Sequence, residues 1–150
     1  MAFLCDTNVL SELTKPRPDP GAVAWAEGQR EVTLSAVTVE EVFYGLSRRP
    51  VPRILAWFEE FLRRRAHVLP VTVDVARRAG ELRGGLASRG ETRTQADMLI
   101  AATAQLHRLT VVTRNRQDFE GCGVPVLDPS SDAGAGGEPV PSSGMIRHAS

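Results

Sequence analysis

The chain has 150 residues, one domain's worth and too few for two independent cores. Its 18 Lys+Arg balance 18 Asp+Glu, which excludes a polybasic or an acidic solvating protein as the whole account. With 42% hydrophobic but only 5% aromatic residues, a core must be built from Val, Leu and Ala, as in a globular α/β domain.

Residues 2–5 read as a first strand that runs into Asp6-Thr7-Asn8. Asp6 either caps a helix over 8–14 or presents a carboxylate above the sheet. Residues 32–35 are a second strand, followed by a helix whose apolar face is Val39, Val42, Phe43 and Leu46. Thr38 and Glu41 fit the S/T-x-x-E capping box, a sufficient local reason for Glu41, and both Glu40 and Glu41 lie off the apolar face. Pro52 opens a helix with Ile54, Leu55, Phe58, Phe61 and Leu62 on one stripe. Glu59–Arg63 and Glu60–Arg64 are expected ion pairs on its outer face.

Thr72 is expected to cap the next helix, with Val75, Ala79, Leu82 and Leu86 inward and Gly90 as the stop. Residues 95–107 form an Ala-rich helix carrying Asp97 in its first turn, where the helix dipole favours negative charge. That carboxylate sits among Ala96, Met98, Leu99 and Ile100, so it lies on a narrow polar stripe or in a cleft. Residues 110–113 are a third strand, leading to Asn115, a cap for a short helix with Asp118 in its first turn. Residues 124–127 are a last short strand.

Strands alternating with helices imply right-handed crossovers and a parallel sheet, whose ligands bind beyond the carboxyl ends of the strands. Asp6, Glu41, Asp97 and Asp118 all fall at or near such positions. Each is explicable as a cap, but together they would repel and raise one another's pKa unless a cation neutralises them. Hard oxygen donors with room for water suit Mg²⁺ or Mn²⁺.

Cys5 and Cys122 have neither disulfide-framework nor zinc spacing. No apolar run approaches a membrane span and the start lacks a signal-peptide pattern, so a cytoplasmic protein with no membrane partner is expected. Of the basic residues 17 are Arg and only Lys15 is Lys, as a GC-rich coding preference would also give. Residues 130–150, rich in Ser, Gly, Ala and Pro, are expected to be a disordered tail outside a domain of residues 1–129.

At these residues the chain resembles the PIN-domain family, in particular the toxin ribonucleases of VapBC-type toxin–antitoxin modules and their FitB-like relatives. FLCDTNVLSEL looks like the family's first strand with its acidic D-T-N. SAVTVEEVFYG matches its S-x-x-T-x-x-E-x-x-x-G pattern, and that register selects Glu41 over Glu40. ADMLIAATAQLHRLTVVTRNRQDF is similar to the third acidic helix, the next strand and the T-x-N-x-x-D-F segment. The resemblance runs through residues 2–129. Cys5 stands at a usually aliphatic position, and Asp128-Pro129 where relatives often have Asn-Pro-Trp.

The resemblance implies a three-layer PIN-like α/β fold with a central, mostly parallel sheet flanked by helices, and a metal-dependent endoribonuclease acting as a toxin. It implies that Asp6, Glu41 and Asp97 hold Mg²⁺ or Mn²⁺, with Asp118 completing the set less directly. Thr113 and Asn115 would orient metal-bound water, with Thr7, Asn8 and Ser35 as further candidates that serve equally as caps. Arg114 and Arg116 are the expected RNA contacts, ahead of Arg48, Arg49, Arg53 and the run at 63–65. The implied partners are RNA, a cognate antitoxin and a second copy of the chain. Val9, Leu10, Leu13, Trp25 and Trp57 either line an apolar groove for the antitoxin or belong to the core. A PIN-type nuclease of RNA processing or DNA-structure cleavage, or an inactive nucleic-acid-binding module, shares this pattern. A receiver-like phosphoacceptor would need paired acids after the first strand and a late Lys, which this chain lacks.

Overall fold

The computed structural model describes residues 2–132 and 140–141. Strand β1 (Phe3–Cys5) is followed by α1 (Thr7–Leu13) and α2 (Pro20–Glu27), then β2 (Val32–Ser35), α3 (Ala36–Arg48) and α4 (Pro52–Arg64). Next come β3 (Ala66–Leu69), α5 (Val73–Ala87), α6 (Gln95–His107) and β4 (Thr110–Val112). A 3₁₀ turn (Arg116–Phe119), β5 (Pro125–Leu127), α7 (Pro129–Asp132) and β6 (Val140–Pro141) complete the order.

The first sheet has the order β1-β4-β5-β6, parallel except for the antiparallel β5–β6 pair. The parallel pair β2–β3 forms a second ladder, with β2 beside β1. Alternation along the strands divides the core between two faces. Leu4, Val111 and Val126 point towards α5 and α6, where they meet Val75, Ala79, Leu82, Leu86, Met98 and Ile100. Cys5, Val112 and Leu127 point the other way, onto Val9, Leu10, Phe58 and Phe61. The expected three layers follow from that alternation.

Thr72 caps α5 by accepting a hydrogen bond from the Val75 amide, and the four expected inward residues are the buried ones. Beyond its end, Gly90 takes the left-handed conformation (φ +81°), which lets the Glu91 amide return to the Leu86 carbonyl at 2.9 Å.

The structure corrects several local expectations. The Thr38–Glu41 capping box does not form: α3 starts directly from β2, Ser35 is its cap, and Thr38 is buried inside the helix. The i, i+4 pair Glu59–Arg63 gives way to Glu60, which binds both Arg63 and Arg64. Leu55 is exposed, so the buried stripe of α4 is Phe58 and Phe61. Strand β3 and helix α2 went unrecognised in the sequence. The short, half-exposed β3 follows α4 with no Gly or Pro between them, and α2 relies on an Asp19 cap and Pro20. Within residues 130–150, α7 and β6 are described, and the remainder of the expected tail lies outside the described residues. No helix among the described residues is long and apolar enough to cross a membrane.

Candidate active site

Asp6 leaves the carboxyl end of β1 and caps α1, its backbone amide closing the β1–β4 ladder on the Val112 carbonyl at 2.8 Å. Its side chain is only 5% exposed. Oδ1 accepts from the Thr7 amide and Oδ2 from the Thr113 hydroxyl, each at 2.8 Å. The Thr113 hydroxyl is fully used, for it also accepts from the Asn8 side chain (3.1 Å) and the Asn115 amide (3.0 Å). Asn8 Oδ1 in turn accepts from the Arg114 amide at 3.1 Å, so the ends of β1 and β4 are laced together.

Glu41 reaches the site from α3, where the Thr7 hydroxyl donates to Oε1 at 2.6 Å. The same hydroxyl lies 3.1 Å from that of Thr38. Glu40 is exposed, one position away on the helix. Asp97 stands in the first turn of α6, where its amide donates to the Thr94 cap at 3.1 Å. Asp118 lies in the 3₁₀ turn and accepts from Asn115 Nδ2 at 2.8 Å. Arg93 clamps that turn, donating to the Asp118 and Glu120 carbonyls at 3.2 and 2.8 Å.

All four predicted acids line one open crevice of about 460 Å³, together with Thr7, Asn8 and Asn115. Burial pushes the Asp6 carboxyl up to about 7, reinforced by Asp97 and Glu41 and opposed by the hydrogen bonds from Thr113 and Thr7. Asp97 is raised as well, by burial first and then by Asp118 and Glu41, against its Thr94 bond. Asp6 and Asp97 thus both feel neighbouring carboxylates, the electrostatic condition that a cation relieves. The all-oxygen donor set suits a hard divalent ion. Among the described residues no three Asp, Glu, His or Cys side chains stand close enough to hold an ion by themselves. A Mg²⁺-sized ion would therefore keep several waters, as Mg²⁺ usually does.

Of the two predicted arginines, Arg114 lines the rim and Arg116 does not. The Arg116 guanidinium donates to the Val126 carbonyl of β5 at 3.3 Å. Three further rim residues escaped the sequence reading: Ser11, Glu12 and Lys15. With Asn8 they make an i, i+3, i+4, i+7 polar stripe on an otherwise Val- and Leu-bearing helix, a periodic signal present in the sequence. Arg93, 25 and 27 residues from the two carbonyls it holds, carried no such signal.

A family model described as "PIN domain" matches residues 3–121, a span containing all four acids. The chain belongs to the PIN-domain family. This PIN domain is 36% identical over 135 residues to VapC ribonuclease Y4jK of Sinorhizobium fredii, covering 85% of this chain and 96% of that protein. It is similar in structure to FitAcB from Neisseria gonorrhoeae, with TM-score 0.72 and 33% identity over 85% of this chain and 97% of that one. A toxin-antitoxin complex from Klebsiella pneumoniae is similar with TM-score 0.65 and 29% identity, over 86% of this chain and 98% of that one.

A second concavity, of about 250 Å³, lies between α1, α3 and α4 and is lined by Leu10, Val42, Leu46, Ile54, Trp57 and Phe58. Thr7, Ser11 and Glu41 belong to both, so the groove opens into the acidic crevice of the PIN domain. Of the five residues expected to form such a groove, Leu10 and Trp57 line it. Val9 is core, and Leu13 and Trp25 pack against the core.

Proposed function

We propose that this PIN domain is an endoribonuclease that acts as the toxin of a toxin–antitoxin pair, with the carboxylates of Asp6, Glu41, Asp97 and Asp118 as its catalytic centre. The observation that carries this is the convergence of four acids from four separate chain segments on one crevice at the carboxyl ends of the strands. Relatives named ribonuclease over nearly their whole length support the substrate class.

Mg²⁺ or Mn²⁺ is the cofactor that the donor set favours, held by Asp6 and Asp97 with Glu41 and Asp118 bound directly or through water. Such an ion supplies an activated water and a counter-charge for the phosphate. The chain's own residues do the rest. Thr113 and the Thr7 amide fix the Asp6 carboxylate, the Thr7 hydroxyl aims Glu41, and Asn115 orients Asp118. Arg114 brings positive charge to the rim, where it offsets the repulsion between the acids and a phosphate chain. The catalytic unit is read as residues 1–129, working in the cytoplasm as a homodimer. The cognate antitoxin is proposed to seat an apolar segment in the Leu10–Trp57 groove, whose open end lies at Glu41.

Incubation of the purified protein with total RNA, with Mg²⁺, Mn²⁺ or EDTA, tests this reading. Internal cleavage that needs the divalent ion is expected, and cleavage undiminished in EDTA would overturn the metal-dependent mechanism. Thr113→Val gives a finer test. It removes the hydrogen bond that lowers the Asp6 pKa and strands two donors, from Asn8 and Asn115. Activity should fall roughly 10–100-fold, as for other groups that orient ligands, with the acid limb of the pH–rate profile moved to higher pH. An unmoved limb would show that Thr113 has no part in tuning Asp6.

A further inference from the structure

We infer that Glu12 is a positioning residue, which holds Lys15 and Arg114 as a fixed cationic pair that receives an RNA phosphate next to the one being cleaved. The inference rests on the ribonuclease reading above and adds to it a residue outside the acidic centre.

Glu12 is 5% exposed, as deeply buried as Asp6, yet it takes no part in the acidic cluster. Both of its oxygens are occupied by donors. Oε1 accepts from Arg114 Nη1 at 2.5 Å and from Lys15 Nζ at 2.8 Å, and Oε2 accepts from the Asp19 amide at 2.8 Å. Those donors hold its carboxyl below the usual range, Lys15 first among them. A carboxylate so placed is a fixed anchor, not a proton carrier.

What it anchors is placed for a polyanion. Arg114 is held at three points: Nη1 on Glu12, Nε on the Ser130 hydroxyl at 3.1 Å, and its backbone amide on Asn8. Lys15 is 58% exposed, and Glu12 uses one of its three donors. Asp19, whose carboxylate also faces Arg114 and Ser130, balances that guanidinium, so the charge this end of the crevice offers to a polyanion is the exposed ammonium of Lys15 beside an Arg114 fixed in place. Without Glu12, Lys15 would be free to sample solvent and Arg114 would keep only its side-chain contact with Ser130, so ordering them on RNA would cost binding energy.

The polar stripe of α1 sets the spacing. Six residues separate Glu12 from Asp6, which is roughly 9 Å along a helix axis. That separation sets the anchored pair to one side of the acidic centre in the same crevice, where a neighbouring phosphate would lie. The only lysine in the chain stands at this place.

Simple charge counting and the anchoring role predict opposite outcomes for E12Q. Loss of a negative charge alone should tighten RNA binding and steepen its salt dependence. Loss of the anchor should weaken it. The experiment measures kcat and KM for a fluorescently labelled RNA oligonucleotide across a NaCl series, for the wild type, E12Q, R114A/K15A and the triple variant. E12Q is expected to raise KM about tenfold, the scale of other orienting partners, with kcat within about twofold of wild type and a flatter salt slope. The triple variant should be no worse than R114A/K15A, because Glu12 acts through those two residues.

An unchanged or lowered KM in E12Q, or additive losses in the triple variant, overturns the inference. Should E12Q fail to fold by circular dichroism, E12D, which keeps the charge on a side chain too short to hold both cations, takes its place. It must raise KM and flatten the salt slope, and an unaltered KM overturns the proposal. Wild-type protein that cleaves no RNA defeats the ribonuclease reading and this one with it. Active wild type with indifferent variants defeats this one alone.

Discussion

Asp6→Asn is expected to lower divalent-dependent RNA cleavage by roughly a thousandfold or more, the upper end of what losing one preorganised charge-stabilising group costs. Asp6 is the most buried of the four acids and the one fixed at both oxygens. Asparagine keeps the size but loses the charge. It also cannot accept at both positions: either its amide group faces the Thr7 amide, donor to donor, or it faces a Thr113 hydroxyl whose lone pairs are already taken. The variant should stay folded, because the packing beneath it (Leu4, Val9, Val112) is untouched. Gel analysis of total RNA, beside a thermal melt of each protein, checks this. Variant activity above about a tenth of wild type would remove Asp6 from the centre of the chemistry, since a ligand-orienting residue alone costs about that much.

The second expectation concerns pH. In the metal-free protein Asp6 has a folded pKa of about 7 against an ordinary value of 3.8. The folded state thus binds more protons between those two values, so stability is fully present below about pH 4 and is lost as pH rises through about 7. At 1.4 kcal/mol per unit the loss amounts to roughly 4 kcal/mol, the upper bound for this group. Asp97, raised by the same causes, adds to it in the same direction. Urea unfolding in EDTA at pH 5, 6, 7 and 8 should therefore give midpoints that decline steadily. Asp6→Asn should flatten the decline, and Mg²⁺ or Mn²⁺ should restore wild-type stability at pH 8 far more than at pH 5. A wild-type midpoint that rises over that range would mean that the acids are not destabilised by their burial and by one another.

This cost has a functional sense. A cluster of carboxylates that is stable when empty would gain little from a cation. One held apart by its own repulsion gains both stability and charge balance when a cation binds.

Much of the fold was legible because it rests on short-range chemistry. Strands at 32–35 and near 3–5, 110–112 and 125–127, and the helix at 95–107, follow from β-branched runs, apolar spacing and caps that neighbouring residues decide. The same locality misled at Thr38 and Glu41. A capping box fits the letters, but β2 ends at Ser35 and α3 begins at once, which carries Thr38 inside and frees Glu41 to meet Thr7. Strand β3 was invisible for the opposite reason: it exists only because β2 offers it a parallel partner. Arg114 and Arg116 are two residues apart and look alike, yet the turn sends one to Glu12 and the other to the Val126 carbonyl.

The sequence by itself determined the α/β alternation, the placing of the four acids at a strand end or in the helix or turn beyond, and the overall neutrality of 18 bases against 18 acids. Periodicity and capping depend on residues a few positions apart, so they survive without coordinates. The tertiary structure alone decided which of those charges meet. Asp6, Glu41, Asp97 and Asp118 lie far apart in the chain and share one crevice, while Glu12 gathers Lys15 and Arg114 at its rim. Electrostatic energy depends on distance in space, and the net charge of the chain says nothing of how that charge is divided.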